Sequence, residues 1–213
     1  MLKIRAFAAL CIASSMLATL PRAALATGIA SAESSAPQAA HTLDGARLVS
    51  ALRGGGYVIY FRHTATDFSK NDRQMKSFED CANQRPLTEK GRSDARATGA
   101  KIRELRLADG EVLASPFCRT MEHATLVFGR ATPTRELRES QGGDYPGLKH
   151  LLAGPVDKGR NRWLFGHGTP FRAVAGPPHL NEGEAVIMQP TGQSWVVVAR
   201  IGADDWAGLT GPP

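Results

Sequence analysis

The chain is expected to fold as a three-layer α/β/α sandwich with a mostly parallel central sheet and a C-terminal edge hairpin. Three short apolar runs predict it: Tyr57-Val58-Ile59-Tyr60-Phe61, Glu111-Val112-Leu113-Ala114-Ser115 and Asn161-Arg162-Trp163-Leu164-Phe165. Runs this short, bounded by turn residues, suit strands buried on both faces, as in a parallel sheet covered by helices. Each run also ends on residues able to do chemistry. In open α/β sheets the site lies just beyond the carboxyl ends of the strands.

Taken in order, residues 1–32 read as a secretory signal peptide. Lys3 and Arg5 form a positive n-region, Ala6 to Leu20 carries no charge, and small-residue cleavage patterns follow at Ala24-Leu25-Ala26 and Ala30-Ser31-Ala32. The apolar core is too short to favour a spanning helix, and Leu10 before Cys11 is larger than a lipid-attachment box allows. A periplasmic or secreted protein with no stable membrane insertion after cleavage is therefore expected. Loss of Lys3, Arg5 and Arg22 with no acid takes the formal charge from +6 to +3. That mild surplus suits a small anionic substrate and excludes the basic footprint of a nucleic-acid binder. Residues 33–41 form a small, polar tail, and residues 42–213 are long enough for one domain with a sizeable core.

Thr42 to Arg53 reads as a helix with Leu48, Ala51 and Leu52 on its apolar face, stopped by Gly54-Gly55-Gly56 before the first strand. After His63, Asp67 to Gln84 is polar and aperiodic, a long loop over the strand end of the kind that often serves as a lid. Its acids Asp67, Asp72, Glu79 and Asp80 lack metal-ligand spacing and read as a solvated face. Thr88 is the expected N-cap of a helix running to about Leu107, with Ala95, Gly99, Ile102 and Leu105 inward. The second strand ends at Ser115-Pro116, and a helix follows with Met121, Ala124, Thr125 and Phe128 inward. Tyr145-Pro146-Gly147 reads as a turn. Ala185-Val186-Ile187-Met188 and Trp195 to Ile201 then form the closing hairpin.

The three strand ends offer Arg62 and His63, then Arg119 at the head of a helix, then His167 between Gly166 and Gly168. Helix N-termini favour anions, and flanking glycines admit close backbone approach. Guanidiniums bind phosphate oxygens in bidentate fashion and stay charged at any working pH. A histidine beside them can act as an in-line nucleophile. The constellation is thus a site for a small phosphorylated substrate. The other histidines, His41, His123, His150 and His179, read as surface or core residues, and Trp163, Trp195 and Trp206 as packing.

These residues resemble the histidine phosphatase superfamily, the phosphoglycerate mutase-like proteins, in the form of an exported single-domain member. Arg62-His63-Thr64-Ala65-Thr66 looks like the Arg-His-Gly-Glu-Thr signature, and Leu87-Thr88-Glu89-Lys90-Gly91 like the Leu-Thr-x-x-Gly helix start. Ser115 to Ala124 resembles Ser-x-x-x-Arg-x-x-x-Thr-Ala with His123 in place of the Thr, and Gly166-His167-Gly168 the second-histidine turn. The resemblance implies His63 as the phosphorylated nucleophile, held through its other ring nitrogen by backbone. It implies Arg62, Arg119, His167 and Thr66 around the phosphate, with His167 also stabilising the transition state, and no cofactor or metal. The histidine spacing offers no zinc signature either.

A general acid is needed for an alkoxide leaving group. By its Leu-x-Glu context Glu139 is the candidate, against the reading of a solvated glutamate beside Arg135 and Arg138; Glu182, Asp144 and Asp67 are the next donors to consider. Thr64 and Ala65 replace the signature Gly and Glu, and Gly176-Pro177-Pro178 shortens the helix after His167.

The two cysteines beyond the leader, Cys81 and Cys118, are expected to be bridged in an oxidising compartment, the alternative being two separate thiols. The expected function is that of an exported, metal-independent phosphomonoesterase, possible substrates including envelope sugar phosphates. Alternatives are a protein phosphohistidine phosphatase and a non-catalytic phosphate-binding domain of the same fold. Nothing in the chain fixes an oligomeric state.

Overall fold

The structure is a computed structural model and describes residues 43–138, 140 and 142–211. The leader, the tail at residues 33–41 and Glu139 lie outside the described residues. Six strands form one sheet: β1 (Val58–Arg62), β2 (Gly110–Ala114), β3 (Thr132–Pro133), β4 (Asn161–Gly166), β5 (Ala185–Pro190) and β6 (Trp195–Ile201). Their order is β3-β2-β4-β1-β5-β6. The pairs β3–β2, β2–β4 and β4–β1 are parallel, whereas β1–β5 and β5–β6 are antiparallel. The expected edge hairpin is therefore β5–β6, and the sheet is parallel where the three site-bearing strand ends meet.

Five helices among the described residues cover it: α1 (Gly45–Gly54), α2 (Glu89–Glu104), α3 (Cys118–Phe128), α4 (Pro146–Ala153) and α5 (Gly168–Ala175). Alternation along each strand sorts the core into two layers. Ile59 and Phe61 of β1 pack with Leu48, Leu52, Ala95, Ile102 and Val127 of α1, α2 and α3. Val58 and Tyr60 face the other way, against Leu148 and Leu152 of α4 and Phe171 of α5. Burying such side chains contributes about 1.5–3 kcal/mol each, which outweighs the weak intrinsic preference of helices as short as α4 and α5.

One segment read as a turn is the start of a helix. The residues Tyr145-Pro146-Gly147 open α4, with Pro146 in its first turn and Tyr145 left-handed at φ 50°. Proline is tolerated there because its missing N–H has no partner in a first turn anyway. The segment 67–84 is an irregular loop with one short 3-10 turn at Cys81–Asn83. Its neck is closed by the Thr66–Leu87 bridge and by the Asp67 N–H donating to Pro86 O at 3.0 Å.

At the amino end of the sheet a buried asparagine joins three connections. Asn161 Nδ2 donates to Leu52 O (2.8 Å) and Ala108 O (3.1 Å), while its Oδ1 accepts from the Tyr57 N–H (3.2 Å). No helix among the described residues is long and apolar enough to cross a membrane.

Candidate active site

β1 delivers Arg62 and His63 to its carboxyl end, where the His63 N–H still donates to Gly166 O of the neighbouring strand at 3.1 Å. The His63 ring is buried, and its Nδ1 lies 2.9 Å from Thr64 O. A carbonyl can only accept, so Nδ1 carries the proton and Nε2 keeps its lone pair. Burial pushes the imidazole pKa down to about 3, with Arg119, Arg62 and Arg85 acting in the same direction against the Thr64 hydrogen bond. The result is a neutral imidazole of fixed tautomer.

Glu182, in the segment entering β5, sits on the Nδ1 side of that ring. Its Oε1 is 3.7 Å from His63 Nδ1, accepts from Thr66 Oγ1 at 2.6 Å and lies 3.7 Å from the Arg62 guanidinium. Thr66 Oγ1 thus serves Glu182 in this structure. Arg62 is further fixed by donating to Leu180 O at 2.6 Å. The start of α2 lies against the same loop, since Thr88 N–H donates to Ala65 O at 2.9 Å and a Cβ at Gly91 would come within 2.3 Å of that oxygen. Thr88 also caps α2 as expected, accepting from Gly91 N–H at 3.0 Å.

His167 follows β4 and stands at the head of α5. Tyr60, from the adjacent strand, holds its backbone on both sides: the phenol accepts from His167 N–H and donates to His167 O, each at 2.9 Å. A Cβ at Gly166 would lie 2.1 Å from that phenolic oxygen, so glycine is needed to admit it. Ser115 Oγ, at the end of β2, is 2.9 Å from His167 Nε2. The two imidazoles stand edge to face, with ring centroids 5.6 Å apart. Burial holds His167 well below its ordinary pKa, and Arg119 and His63 add to the effect.

Arg119 occupies the first turn of α3, 5 % exposed, with its guanidinium 4.5 Å from the Phe117 ring centroid. Its terminal nitrogen donates to Asp72 Oδ1 at 3.0 Å. This corrects the reading of Asp72 as part of a solvated face: the long loop folds back and places that carboxylate on the pocket's cation. The same oxygen accepts from Arg85 N–H at 2.8 Å. Arg85 was not singled out by sequence, yet its charge acts on His63, His167, Arg119 and Arg62. Its Nε is buried without a hydrogen-bond partner.

Cys81 and Cys118 are bridged, with Cα atoms 5.7 Å apart, and Gln84 Oε1 accepts from Cys118 N–H at 2.9 Å. The loop is therefore tied to the head of α3 twice, one residue from Arg119. A cavity of about 530 Å³ lies along this tie, lined among others by Phe78, Cys81, Pro116, Cys118, Arg119 and Met121.

The structure thus brings together His63, His167, Arg62 and Arg119, with Thr66 one contact away through Glu182. Glu139 lies outside the described residues. His123 is buried with neither ring nitrogen hydrogen-bonded, edge-on to Phe61 and Phe165 at 5.5 and 4.8 Å, which makes it a core residue, one of the two readings the sequence left open. No cluster of metal-ligating side chains occurs among the described residues.

The fold is shared with solved structures at low sequence identity. The protein histidine phosphatase SixA in complex with tungstate superposes with a TM-score of 0.52 at 17% identity, covering 70% of this chain and 97% of that one. The SixA protein of Agrobacterium tumefaciens gives 0.50 at 15%, covering 69% and 98%. A mycobacterial protein described as hydrolase 1 gives 0.50 at 14%, covering 67% and 96%. No curated protein matches the chain by sequence. Residues 58–176, more than half of the chain and including Arg62, His63, Arg119 and His167, match the histidine phosphatase superfamily, branch 1, and the chain belongs to that family.

Proposed function

We propose that the protein is a metal-independent phosphomonoesterase that works through a phosphohistidine on His63 Nε2. The observation that carries this is the hydrogen bond from His63 Nδ1–H to Thr64 O, which leaves Nε2 unprotonated in a ring kept neutral by burial. In the proposed cycle the phosphoryl group binds between Arg62, Arg119 and His167. Nε2 attacks phosphorus in line as the ester oxygen leaves, and water then breaks the P–N bond and releases phosphate. The barrier falls mainly through positioning and charge stabilisation on the phosphoryl oxygens. The head of α3 adds its N-terminal dipole beside Arg119.

The signal-peptide pattern of residues 1–32 supports an enzyme exported from the cytoplasm, and envelope sugar phosphates are the first physiological class to try. The fold shared with SixA makes phosphohistidine peptides a second class.

The test is hydrolysis of p-nitrophenyl phosphate by wild type, His63→Ala and wild type in EDTA. Activity that survives EDTA and vanishes in His63→Ala, with phosphate recovered on the histidine after acid-free quenching, is the expected result. Folded wild-type protein without activity on this reactive ester would instead support a phosphate-binding domain.

A further inference from the structure

We propose that Asp72 is the general acid of this site, protonating the leaving oxygen. The inference rests on the phosphomonoesterase reading above. Asp72 Oδ1 already sits at the pocket, accepting from the Arg119 guanidinium at 3.0 Å and from Arg85 N–H at 2.8 Å. An incoming phosphoryl group competes for the same guanidinium, so it meets the carboxyl directly.

The loop cannot carry the displaced carboxyl far. Its neck is closed at Thr66–Leu87, its other end is bridged from Cys81 to Cys118, and Gln84 holds Cys118 N–H and Phe78 O. Asp72 therefore remains beside the phosphoryl group.

The further donors offered by the sequence are placed less well. Glu182 lies on the Nδ1 side of His63, behind the attacking nitrogen, and is engaged by Thr66. Asp144 is exposed and paired with Lys149. Asp67 accepts from Ser69 N–H at 2.9 Å within its own turn.

A general acid must hold its proton when substrate is bound. In the empty site burial favours the neutral carboxyl, but the Arg85 N–H and the charges of Arg119 and Arg85 outweigh it and hold Asp72 below its ordinary pKa. A phosphoryl dianion pairs with those same cations and sets negative charge beside the carboxyl. Burial stays, the opposing influences are neutralised, and the balance turns toward the protonated form. Substrate binding thus draws in the proton that the leaving group needs.

In the first step the Nε2 lone pair forms the P–N bond and the P–O bond breaks. Its electron pair stays on the leaving oxygen, which takes the proton of Asp72. In the second step water attacks phosphorus, the P–N electrons return to Nε2, and the proton of the attacking water passes to a phosphoryl oxygen of the released phosphate.

The experiment compares Asp72→Asn with wild type on p-nitrophenyl phosphate, whose leaving group needs little protonation, and on glycerol 2-phosphate, whose leaving group needs a proton. The expected result is a loss in kcat of at least about 100-fold on the alkyl ester and within about threefold on the aryl ester. The high-pH limb of the alkyl kcat profile should disappear in the variant. Retained aryl activity certifies the fold; if the Asn variant does not fold, Asp72→Ser takes its place with the same expectation. Equal losses on both esters would show that Asp72 only positions Arg119, and would overturn the proposal. So would no loss on either, or an ester-dependent loss in Glu139→Gln but not in Asp72→Asn. Wild type inactive on both esters would instead sink the phosphomonoesterase reading itself.

Discussion

Replacing both Cys81 and Cys118 by serine should cost stability far more than activity. The two residues are separated by 37 positions. Closing a loop of that length in the unfolded chain lowers its entropy by an amount worth about 4 kcal/mol at 25 °C. For a domain of this size each kcal/mol corresponds to roughly 2–4 °C in Tm, so the double variant should melt about 8–15 °C lower. The native loop has other ties, however. Gln84 accepts from Cys118 N–H at 2.9 Å and donates to Phe78 O at 2.8 Å, and Asp67 N–H reaches Pro86 O at 3.0 Å. Arg119 and Asp72 should therefore keep their geometry at 25 °C, and kcat/KM should be unchanged within error. Differential scanning calorimetry on oxidised wild type and the double variant, with kinetics at 25 °C, reads both quantities. A variant that melts with wild type but has lost activity would refute this account, because the bridge would then act on the folded loop and not on the unfolded chain.

Tyr60→Phe removes the phenol that both accepts from and donates to the His167 backbone. Leaving those buried groups unpaired should destabilise the protein by about 2–3 kcal/mol, and the displaced imidazole should lower kcat by about tenfold or more; urea unfolding with steady-state kinetics checks both, and unaltered stability would contradict the strap. Acid sensitivity follows from the buried histidines. His63 and His123 are held at about 3 and His167 well below its usual value, so between pH 6.5 and 3 the unfolded chain binds protons that the native protein refuses. Stability attributable to them is therefore lost as pH falls below 6.5, by about 1.4 kcal/mol per pH unit for each histidine. His123→Phe should remove one such proton and reduce the stability lost between pH 7 and pH 5 by about 2 kcal/mol, read from urea midpoints at the two pH values. An unchanged difference would mean that His123 is not buried in its neutral form.

Residues whose roles follow from local pattern were legible before the fold was known. The runs around Ile59 and Leu164 announced buried strands because burial on both faces leaves no alternation to obscure them, whereas the run around Val112 is buried on alternate residues and was legible from its apolar residues between turn signals. Thr88 announced a helix start because capping is decided within four residues. Helix α4 was not legible, since Tyr145-Pro146-Gly147 satisfies turn chemistry and its helical state depends on Leu148 and Leu152 finding Val58, Tyr60 and Leu164. The site was legible to the extent that strands present it. His63, Arg119 and His167 stand at strand ends or the helix head that follows, and the sheet brings them together. Asp72 and Glu182 reach the pocket from irregular segments, at contacts spanning 47 residues to Arg119 and 116 to Thr66. No periodicity encodes where such a loop will land. Tyr60 gave no signal either, since a tyrosine inside an apolar run reads as packing until its hydroxyl is seen beside Gly166.

Asn161 gives the molecule a second pole. It gathers the end of α1, the entry to β1 and the turn before β2, at the amino end of the sheet, while the chemistry gathers at the carboxyl end. Assembly and turnover are thereby assigned to opposite rims of one sheet. A substitution in the loops at the carboxyl rim therefore leaves the Asn161 hydrogen bonds untouched, and a substitution at Asn161 acts on the join of α1, β1 and β2 rather than on the site.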